Sequence, residues 1–413
     1  MTTLAIPIRS RWTRFFAVAG PGLVVMFADT DAGSIITAAQ SGAQWGYRLL
    51  LMQLVLIPML FLVQELTVRL GVVTGKGHGD LIKQHFGTGW AWLSVGTLLV
   101  ACIGALLSEM GGLAGVGLMY GIPAWLTMAV VVSGLSIMAY TGSYLSVERI
   151  AMLFGTFELV FVLVAWHAQP DVSVVAMTMF KLPVSNPNYM FLVAANIGAV
   201  IMPWMVFYQQ SAVVEKGIGI DDLPAARWDT AVGAVVTQLI MAAVLVVTAA
   251  TLGATGNHTP LETVQQIADA ITPFLGERFG KLLFCMGMIG AALVAAIVVT
   301  LTAARALGEV LGYRHSLEHT PREAPWFYAV YTLVLAIAGA VVASGANLVD
   351  LGIGVQVMNA LLLPVVLGFL YLLARRLPEP YRLKGSYART VAITIAITVS
   401  LGVYAGIVGI FTN

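Results

Sequence analysis

Two aspartates lie two residues apart inside an apolar stretch. The segment FADTDAGS, residues 27–34, places Asp29 and Asp31 just before Gly33. A charged side chain at the centre of a bilayer costs about 2.5–3.5 kcal/mol on insertion scales, so such residues mark functional sites. Glycine favours local unwinding, and unwound carbonyls together with a carboxylate make a cation site. The alternative is that an aspartate only caps the helix after the break.

A second helix breaker occurs in the segment VIMPWM, residues 200–205. Pro203 removes a helical hydrogen bond, and Met202 directly precedes it with a thioether that is able to face a site. A lone proline is more often a simple kink, and most membrane methionines fill space. Two breaks at similar depth in two spans favour a pair of discontinuous helices around an ion.

The composition predicts the class of protein that contains these breaks. The chain has 413 residues, of which 59% are hydrophobic and only 10% are charged, and its mean hydropathy is +0.90. Soluble domains contain about 25% charged residues, so the chain is predicted to be an all-α integral membrane protein. A net charge of +1 without a basic tract argues against nucleic-acid binding. The N-terminus lacks the form of a signal peptide, so the first apolar segment is expected to be retained.

The apolar segments predict eleven transmembrane helices, each with about 20 residues or more. Breaks in spans 1 and 6 predict two inverted five-helix repeats within one transporter domain, at about 16–168 and 189–374, followed by an extra helix. The predicted spans are 16–40, 46–73, 89–119, 123–141, 146–168, 189–213, 228–253, 275–305, 326–345, 350–374 and 388–411.

Lys and Arg predict the orientation. With the N-terminus inside, 17 of the 21 Lys and Arg residues fall on cytoplasmic segments. The positive-inside rule therefore predicts a cytoplasmic N-terminus and an external C-terminus in the plasma (inner) membrane.

Over nearly its whole length the chain resembles the Nramp family of divalent metal transporters. The family motif Asp-Pro-Gly-Asn corresponds to Asp31-Ala32-Gly33-Ser34, and its Met-Pro-His corresponds to Met202-Pro203-Trp204. The run RLGVVTGKGHGDL (69–81) is very similar to a family sequence, and VQVMNALLLP (355–364) keeps a glutamine eight residues before a proline. The resemblance implies a LeuT-like fold of two inverted five-helix repeats plus an extra helix.

The resemblance also implies roles for individual residues. Asp31 would be the anionic metal ligand, while the carbonyl of Ala199 and the thioether of Met202 would bind from span 6. Gln356 would join in an occluded state. Ser34 replaces the family's asparagine, so one hard ligand is lost or replaced by water. Asp29 is an extra acid that adds attraction for a hard dication or raises a neighbour's pKa.

Trp204 stands where the family has a histidine of the proton pathway, and tryptophan does not titrate. If protons are coupled to transport, other acids must carry them, and the candidates are Asp29, Glu109 and Glu158. The alternative for Glu109 and Glu158 is that each is a buried structural acid tying helices together.

Import of divalent metal ions is the favoured function, with Mn²⁺ or Fe²⁺ as substrate because a thioether favours softer metals. The Nramp-related magnesium transporters are the alternative, suggested by Asp29, Ser34 and Trp204. That branch generally lacks the methionine, and Mg²⁺ prefers octahedral oxygen ligands and keeps its waters.

Other classes are weaker candidates. An amine or organic-cation transporter of LeuT-like fold is less favoured, and an enzyme is disfavoured because no nucleophile–base pair is evident. No resident cofactor is predicted. The expected partners are a divalent metal ion, protons and lipid, in a monomer or weak oligomer.

Overall fold

The computed structural model describes residues 20–253, 260–273, 276–345 and 347–412. The predicted start of span 1 at residue 16, the basic N-terminal segment and the first residue of span 8 lie outside this range. Every regular element within it is helical. Ten helical segments are long and apolar enough to cross a membrane; one of them, Ala32–Thr74, combines the second half of predicted span 1 with span 2.

Spans 1 to 5 form the first group of helices. Residues Gly46–Leu49 and Thr156–Leu159 are 3₁₀ turns, so span 2 begins four residues later than expected and span 5 is interrupted. The helices are α1 (Pro21–Asp29), α2 (Ala32–Trp45), α3 (Leu50–Thr74), α4 (His78–Phe86), α5 (Thr88–Met119), α6 (Ala124–Thr141), α7 (Tyr144–Gly155) and α8 (Val160–Ala168).

Spans 6 to 11 form the rest of the chain. A short 3₁₀ turn, Ile220–Asp222, precedes span 7. The helices are α9 (Val172–Thr178), α10 (Pro187–Val200), α11 (Pro203–Glu215), α12 (Leu223–Thr251), α13 (Val264–Ile271), α14 (Glu277–Leu311), α15 (Pro325–Ala343), α16 (Leu348–Ala374) and α17 (Gly385–Thr412).

Span 8 is longer than predicted. The sequence places its end at Arg305, whereas α14 continues to Leu311 and ends at Gly312, which adopts a left-handed conformation (φ +83°). Arg305 does not end the helix because it forms an ion pair with Glu215 at the end of α11 and is buried. A neutralised charge is tolerated inside a helix of this kind.

The helices that carry the breaks lie at the centre of the bundle. Helix α10 packs against α16 and α17, and α12 packs against α1, α2 and α3. Glycines allow the closest approach: a Cβ atom added at Gly198 would overlap the main chain of Gln356, and one added at Gly112 would meet Ala32. Small residues at such contacts are what membrane helices use to pack closely.

Polar contacts join the helix ends. Arg69 donates to both oxygens of Glu65, four residues earlier, a spacing that places the two side chains on one face of the helix. The same carboxylate accepts from Arg227 at 2.7 Å and from the hydroxyl of Tyr387 at 3.2 Å. One buried acid thus ties α3 to α12 and α17.

The amphipathic helix α4 was not predicted. His78 begins it, is fully buried, and approaches Oε1 of Gln210 at 2.9 Å through Nδ1. Burial lowers the pKa of His78 to about 4, because desolvation penalises the charged imidazolium. The backbone N–H of Gly79 donates to Glu309 at 2.8 Å, and this bond attaches α4 to α14.

Helices α6 and α15 are the shortest uninterrupted spans, with 18 and 19 residues. They pack against each other, with the rings of Tyr140 and Tyr328 4.9 Å apart and the hydroxyl of Tyr331 donating to the carbonyl of Leu135. Most of α6 is exposed on the outside of the bundle. The two helices therefore form a short pair at the periphery.

Candidate functional site

The first break separates α1 from α2 by two residues, Thr30 and Asp31. Asp31 has extended backbone angles, and its Oδ1 accepts a hydrogen bond of 2.6 Å from the N–H of Ser34. The aspartate therefore caps α2, as the alternative interpretation of the sequence expects. Its second oxygen, Oδ2, is buried and has no hydrogen-bond partner among the described residues. One oxygen orders the helix start, and the other is an unbonded carboxylate oxygen facing the break.

The second break lies at Ile201 and Met202, between α10 and α11. The carbonyl of Ala199 would normally accept from the N–H four residues later, but residue 203 is a proline and has none. The hydroxyl of Ser34 donates to this carbonyl instead, at 2.9 Å. The proline thus exposes a carbonyl toward the first break, where a serine from α2 meets it.

Gln356 closes the site from α16. Its Nε2 donates to Oδ1 of Asp31 at 3.2 Å, and its Oε1 accepts from Asn359 at 3.0 Å. Gly33 allows this approach, because a Cβ atom there would meet the amide of Gln356 and the hydroxyl of Ser108. The glutamine is therefore already joined to the aspartate.

Met202 lies directly before α11 as its N-cap residue, and its side chain is fully buried. The indole N–H of Trp204 donates to its sulfur at 3.1 Å. A thioether is a weak acceptor, so this contact is modest, but it occupies part of the electron density that would bind a metal. The sequence does not predict this bond, because it depends on the rotamers of Met202 and Trp204.

Three side chains that the resemblance implies as ligands have no exposed surface: Asp31, Met202 and Gln356. Ser34, which replaces the family's asparagine, is equally buried. The contacts among Asp31, Ser34, Ala199 and Gln356 bring residues 31 and 356 together from opposite ends of the chain. This arrangement is an occluded one, in which an ion would be isolated from solvent.

Asp29 is placed differently. It is the last residue of α1, and it makes no hydrogen bond with Ser34, Ala199 or Gln356. Its carboxylate lies beside the hydroxyl of Thr237 on α12. The unwound segment therefore directs two nearby aspartates toward different helices.

The two predicted proton-path acids are both fully buried. Glu109 on α5 accepts from the N–H of Ala32 at 3.0 Å through Oε2, so it binds the start of α2 directly. Its Oε1, and both oxygens of Glu158, have no hydrogen-bond partner in the described part of the chain. Glu158 sits in the 3₁₀ turn that interrupts span 5.

Sequence reasoning missed three polar residues. Ser108 faces Gly33, and Asn359 orients the amide of Gln356 from three residues along the same helix. Asp229 on α12 accepts from the N–H groups of Gly20 and Gly22, at 3.2 and 2.7 Å, and so anchors the start of α1. An intramembrane acid in span 7 was the signal available for Asp229.

Known proteins show the same architecture. The manganese transporter of Eremococcus coleocola, solved with an aromatic bis-isothiourea substituted compound, superposes with a TM-score of 0.78 at 18% identity, covering 99% of this chain and 90% of that one. Mhp1, a nucleobase-cation-symport-1 family transporter in a closed conformation, superposes with a TM-score of 0.62 at 13% identity, covering 94% and 90%. The fold is therefore LeuT-like, as predicted.

Sequence comparison is more specific. The divalent metal cation transporter MntH of Mesorhizobium japonicum is 28% identical over 318 residues, covering 73% of this chain and 69% of that protein. MntH of Xanthomonas campestris is 27% identical over 345 residues, covering 80% and 75%. The profile of the Nramp family, described as natural resistance-associated macrophage protein-like, matches residues 22–408. The chain is therefore a member of the Nramp family.

Proposed function

We propose that the chain is a secondary transporter that imports divalent metal ions, with Mn²⁺ as the favoured substrate. The observation that carries the proposal is the meeting of Asp31, Ser34, Ala199 and Gln356 at two helix breaks, in a fully buried space. The similar proteins named as MntH and as a manganese transporter support the same substrate class.

The donor set fits a divalent transition metal. Asp31 supplies a carboxylate oxygen that lacks a partner, and the carbonyl of Ala199 supplies a second oxygen beside the Ser34 hydroxyl. Met202 adds a thioether at the second break. Carboxylate and carbonyl oxygens suit Mn²⁺, and the softer sulfur favours transition metals over Mg²⁺ and Ca²⁺.

A magnesium transporter is the second candidate, and one contact favours it. Because the indole of Trp204 donates to the sulfur of Met202, the thioether is less available to a soft metal. Ser34 is also a shorter ligand than asparagine, which leaves room for a metal-bound water. Both features would suit a partly hydrated, harder ion.

Transport requires the occluded arrangement to open. Gln356 must leave Asp31, since the bond between them joins α16 to the first break. Glu109 is bonded to the N–H of Ala32, so a change of its charge would act directly on the same break. Glu109 and Glu158 are the candidate proton carriers, because Trp204 has no group that titrates near neutral pH.

We further infer a plasma-membrane protein with a cytoplasmic N-terminus and an external C-terminus. The bias of Lys and Arg toward one set of connecting segments supports this orientation. A cysteine introduced after the last span should then react with an impermeant maleimide on intact cells.

Uptake into proteoliposomes tests the function. Mn²⁺ uptake is measured with and without a large excess of Mg²⁺, while a trapped dye reports internal pH. Uptake that resists Mg²⁺ supports the transition-metal assignment, whereas abolition by Mg²⁺ supports the magnesium assignment. Acidification in either case supports proton coupling. Amines that compete where metals do not would instead indicate an organic-cation transporter.

Variants locate the site. Asp31→Ala should abolish uptake because it removes the only carboxylate of the set, while the matched change Asp269→Ala, at a half-exposed acid of α13, should leave uptake unchanged. Normal uptake by a folded Asp31→Ala protein would contradict the site assignment.

A further inference from the structure

A second group of buried oxygens adjoins the first break. The hydroxyl oxygens of Thr30 and Thr237 are 2.6 Å apart, and they join the break to α12. The carboxylate of Asp29 lies beside Thr237, and that of Glu158 lies beside Thr30. Two acids and two hydroxyls therefore form one cluster where α1, the 3₁₀ turn of span 5 and α12 meet.

The Thr237 and Thr30 hydroxyls interact with the two acids, but no donor in the described part of the chain lies in good hydrogen-bond geometry to either carboxylate. Asp29 is 1% exposed and Glu158 is 0% exposed, yet none of their four carboxylate oxygens has a hydrogen-bond partner among the described residues. An ionised carboxylate out of water is costly unless it is paired or binds a cation. Glu109, by comparison, is held by a backbone N–H.

The cluster is distinct from the proposed metal site. Asp31, two residues after Asp29, is bonded to Ser34 of α2 and to Gln356 of α16, whereas the cluster joins α1 to span 5 and α12. Asp29 is also the last residue of α1, so the negative end of this half-helix dipole points toward the cluster. Half-helix C-terminal ends of this kind coordinate coupling ions in other transporters of broken-helix design.

All four side chains of the cluster are buried away from bulk solvent. The ring of Phe27 lies where a Cβ atom at Gly155 would be, at the end of α7, so α1 packs directly on span 5. Mg²⁺ needs near-octahedral geometry and keeps several waters, which a tightly packed set of four side chains does not supply. A monovalent hard ion with few, irregular oxygen ligands fits this set better.

We propose that Asp29, Glu158, Thr30 and Thr237 bind Na⁺ as a second ion beside the transported metal. The bound Na⁺ offsets one of the two negative charges that Asp29 and Glu158 carry when ionised, and it draws span 5 and α12 onto the end of α1. Only Thr30 separates Asp29 from Asp31. Na⁺ bound at Asp29 therefore orders the short unwound segment that also carries the metal ligand Asp31. By linkage, the metal must then strengthen Na⁺ binding by the same factor.

Binding of ²²Na⁺ to the purified full-length protein tests the proposal, in metal-free buffer with N-methyl-D-glucamine as the replacing cation. We expect saturable binding that Asp29→Asn and Glu158→Gln each weaken at least about tenfold, because each removes one ligand charge. Thr237→Val keeps the shape but removes one hydroxyl, and should weaken binding a few fold. Asp269→Asn, at the half-exposed acid of α13, is the matched control and should bind like the wild type.

The outcomes separate this proposal from the proposed function. Asp31→Ala should keep Na⁺ binding even though it loses metal uptake, and Na⁺ binding is measured without any metal. Retained Mn²⁺ binding by Asp29→Asn would show that this variant is folded. Absence of saturable Na⁺ binding by the wild type, or binding that none of the three variants weakens, would overturn the proposal. A fall from two bound Mn²⁺ to one in Asp29→Asn would also overturn it, since the cluster would then hold a second metal.

Discussion

Replacement of Trp204 by phenylalanine should tighten the binding of soft metals. The indole N–H donates to the sulfur of Met202 at 3.1 Å, and phenylalanine keeps an aromatic ring but has no donor. An ordinary hydrogen bond contributes about 0.5–1.5 kcal/mol, and a thioether acceptor belongs at the lower end of that range. Release of roughly 0.5–1 kcal/mol corresponds to a two- to fivefold gain in affinity for a metal that uses the sulfur.

Calorimetry with Cd²⁺, Mn²⁺ and Mg²⁺ on the purified protein measures this effect. Cd²⁺ should gain most because it is the softest of the three, and Mg²⁺ should be unchanged because it does not use a thioether. Trp45→Phe is the matched control, since Trp45 is half-buried and lies outside the donor set. The cavity left by the smaller ring lowers stability in the free and bound states alike, so it should not mimic a selective gain.

A double-mutant cycle identifies the cause. In a Met202→Ala background, Trp204→Phe should have no effect on Cd²⁺ affinity, because the sulfur that it frees is absent. An equal gain for Mg²⁺ and Cd²⁺, or a gain that persists without Met202, would refute the argument that the indole competes with the metal.

Three further changes test other parts of the structure. Gly33→Ala should lower metal uptake and cost about 1–3 kcal/mol of stability through overpacking, whereas Gly354→Ala, where a Cβ atom would meet open space, should have no effect; equal losses in uptake would contradict this. Burial lowers the pKa of His78 to about 4, so its contribution to the free energy of unfolding is complete above about pH 6.5 and is lost as the pH falls toward 4. Between pH 7 and 5, His78→Gln should therefore lose about 2 kcal/mol less stability than the wild type. The measurement is a smaller fall in melting temperature. Asp229→Asn should lower the melting temperature, since two N–H groups of α1 lose a charged acceptor worth about 1.5–3 kcal/mol per bond, while the exposed Asp221→Asn should not; matching curves would remove Asp229 as the anchor.

The helix breaks were predictable because each has a local cause. Pro203 removes a backbone donor at the second break, and Asp31 caps the helix that follows the first. The expectation that Gly33 itself unwinds the chain was wrong: it lies inside α2, where its missing side chain admits Gln356. The contact of Gln356 with Asp31 followed from the family resemblance, since no periodicity relates residues so far apart. The transmembrane helices were also predictable from the sequence. Because the bilayer core has no water, each span must form its own backbone hydrogen bonds, and a long apolar segment therefore becomes a helix.

The remaining features depend on three-dimensional detail that the sequence does not carry. The third interruption, at Thr156–Leu159, contains no proline, and its only local signal is Gly155 directly before it, which the sequence analysis did not use. The side chains of Asp29 and Asp31 contact different helices. Their directions were not predictable, because an unwound segment lacks the fixed rotation per residue that a helix has. The bond from Trp204 to Met202 depends on two rotamers, and α4 is a nine-residue amphipathic helix between two long spans.

The short pair of helices α6 and α15 has a consequence for the lipid. At about 1.5 Å per residue their 18 and 19 residues reach only about 27–28 Å, slightly less than a typical hydrocarbon core of about 30 Å. Ring and hydroxyl contacts hold the two helices side by side. We expect the bilayer to thin slightly beside this edge, and each added ångström of acyl thickness to cost a fraction of a kcal/mol. Thicker bilayers, such as sterol-rich ones, should therefore lower the transport rate through the periphery of the bundle, without changing any ligand of the ion.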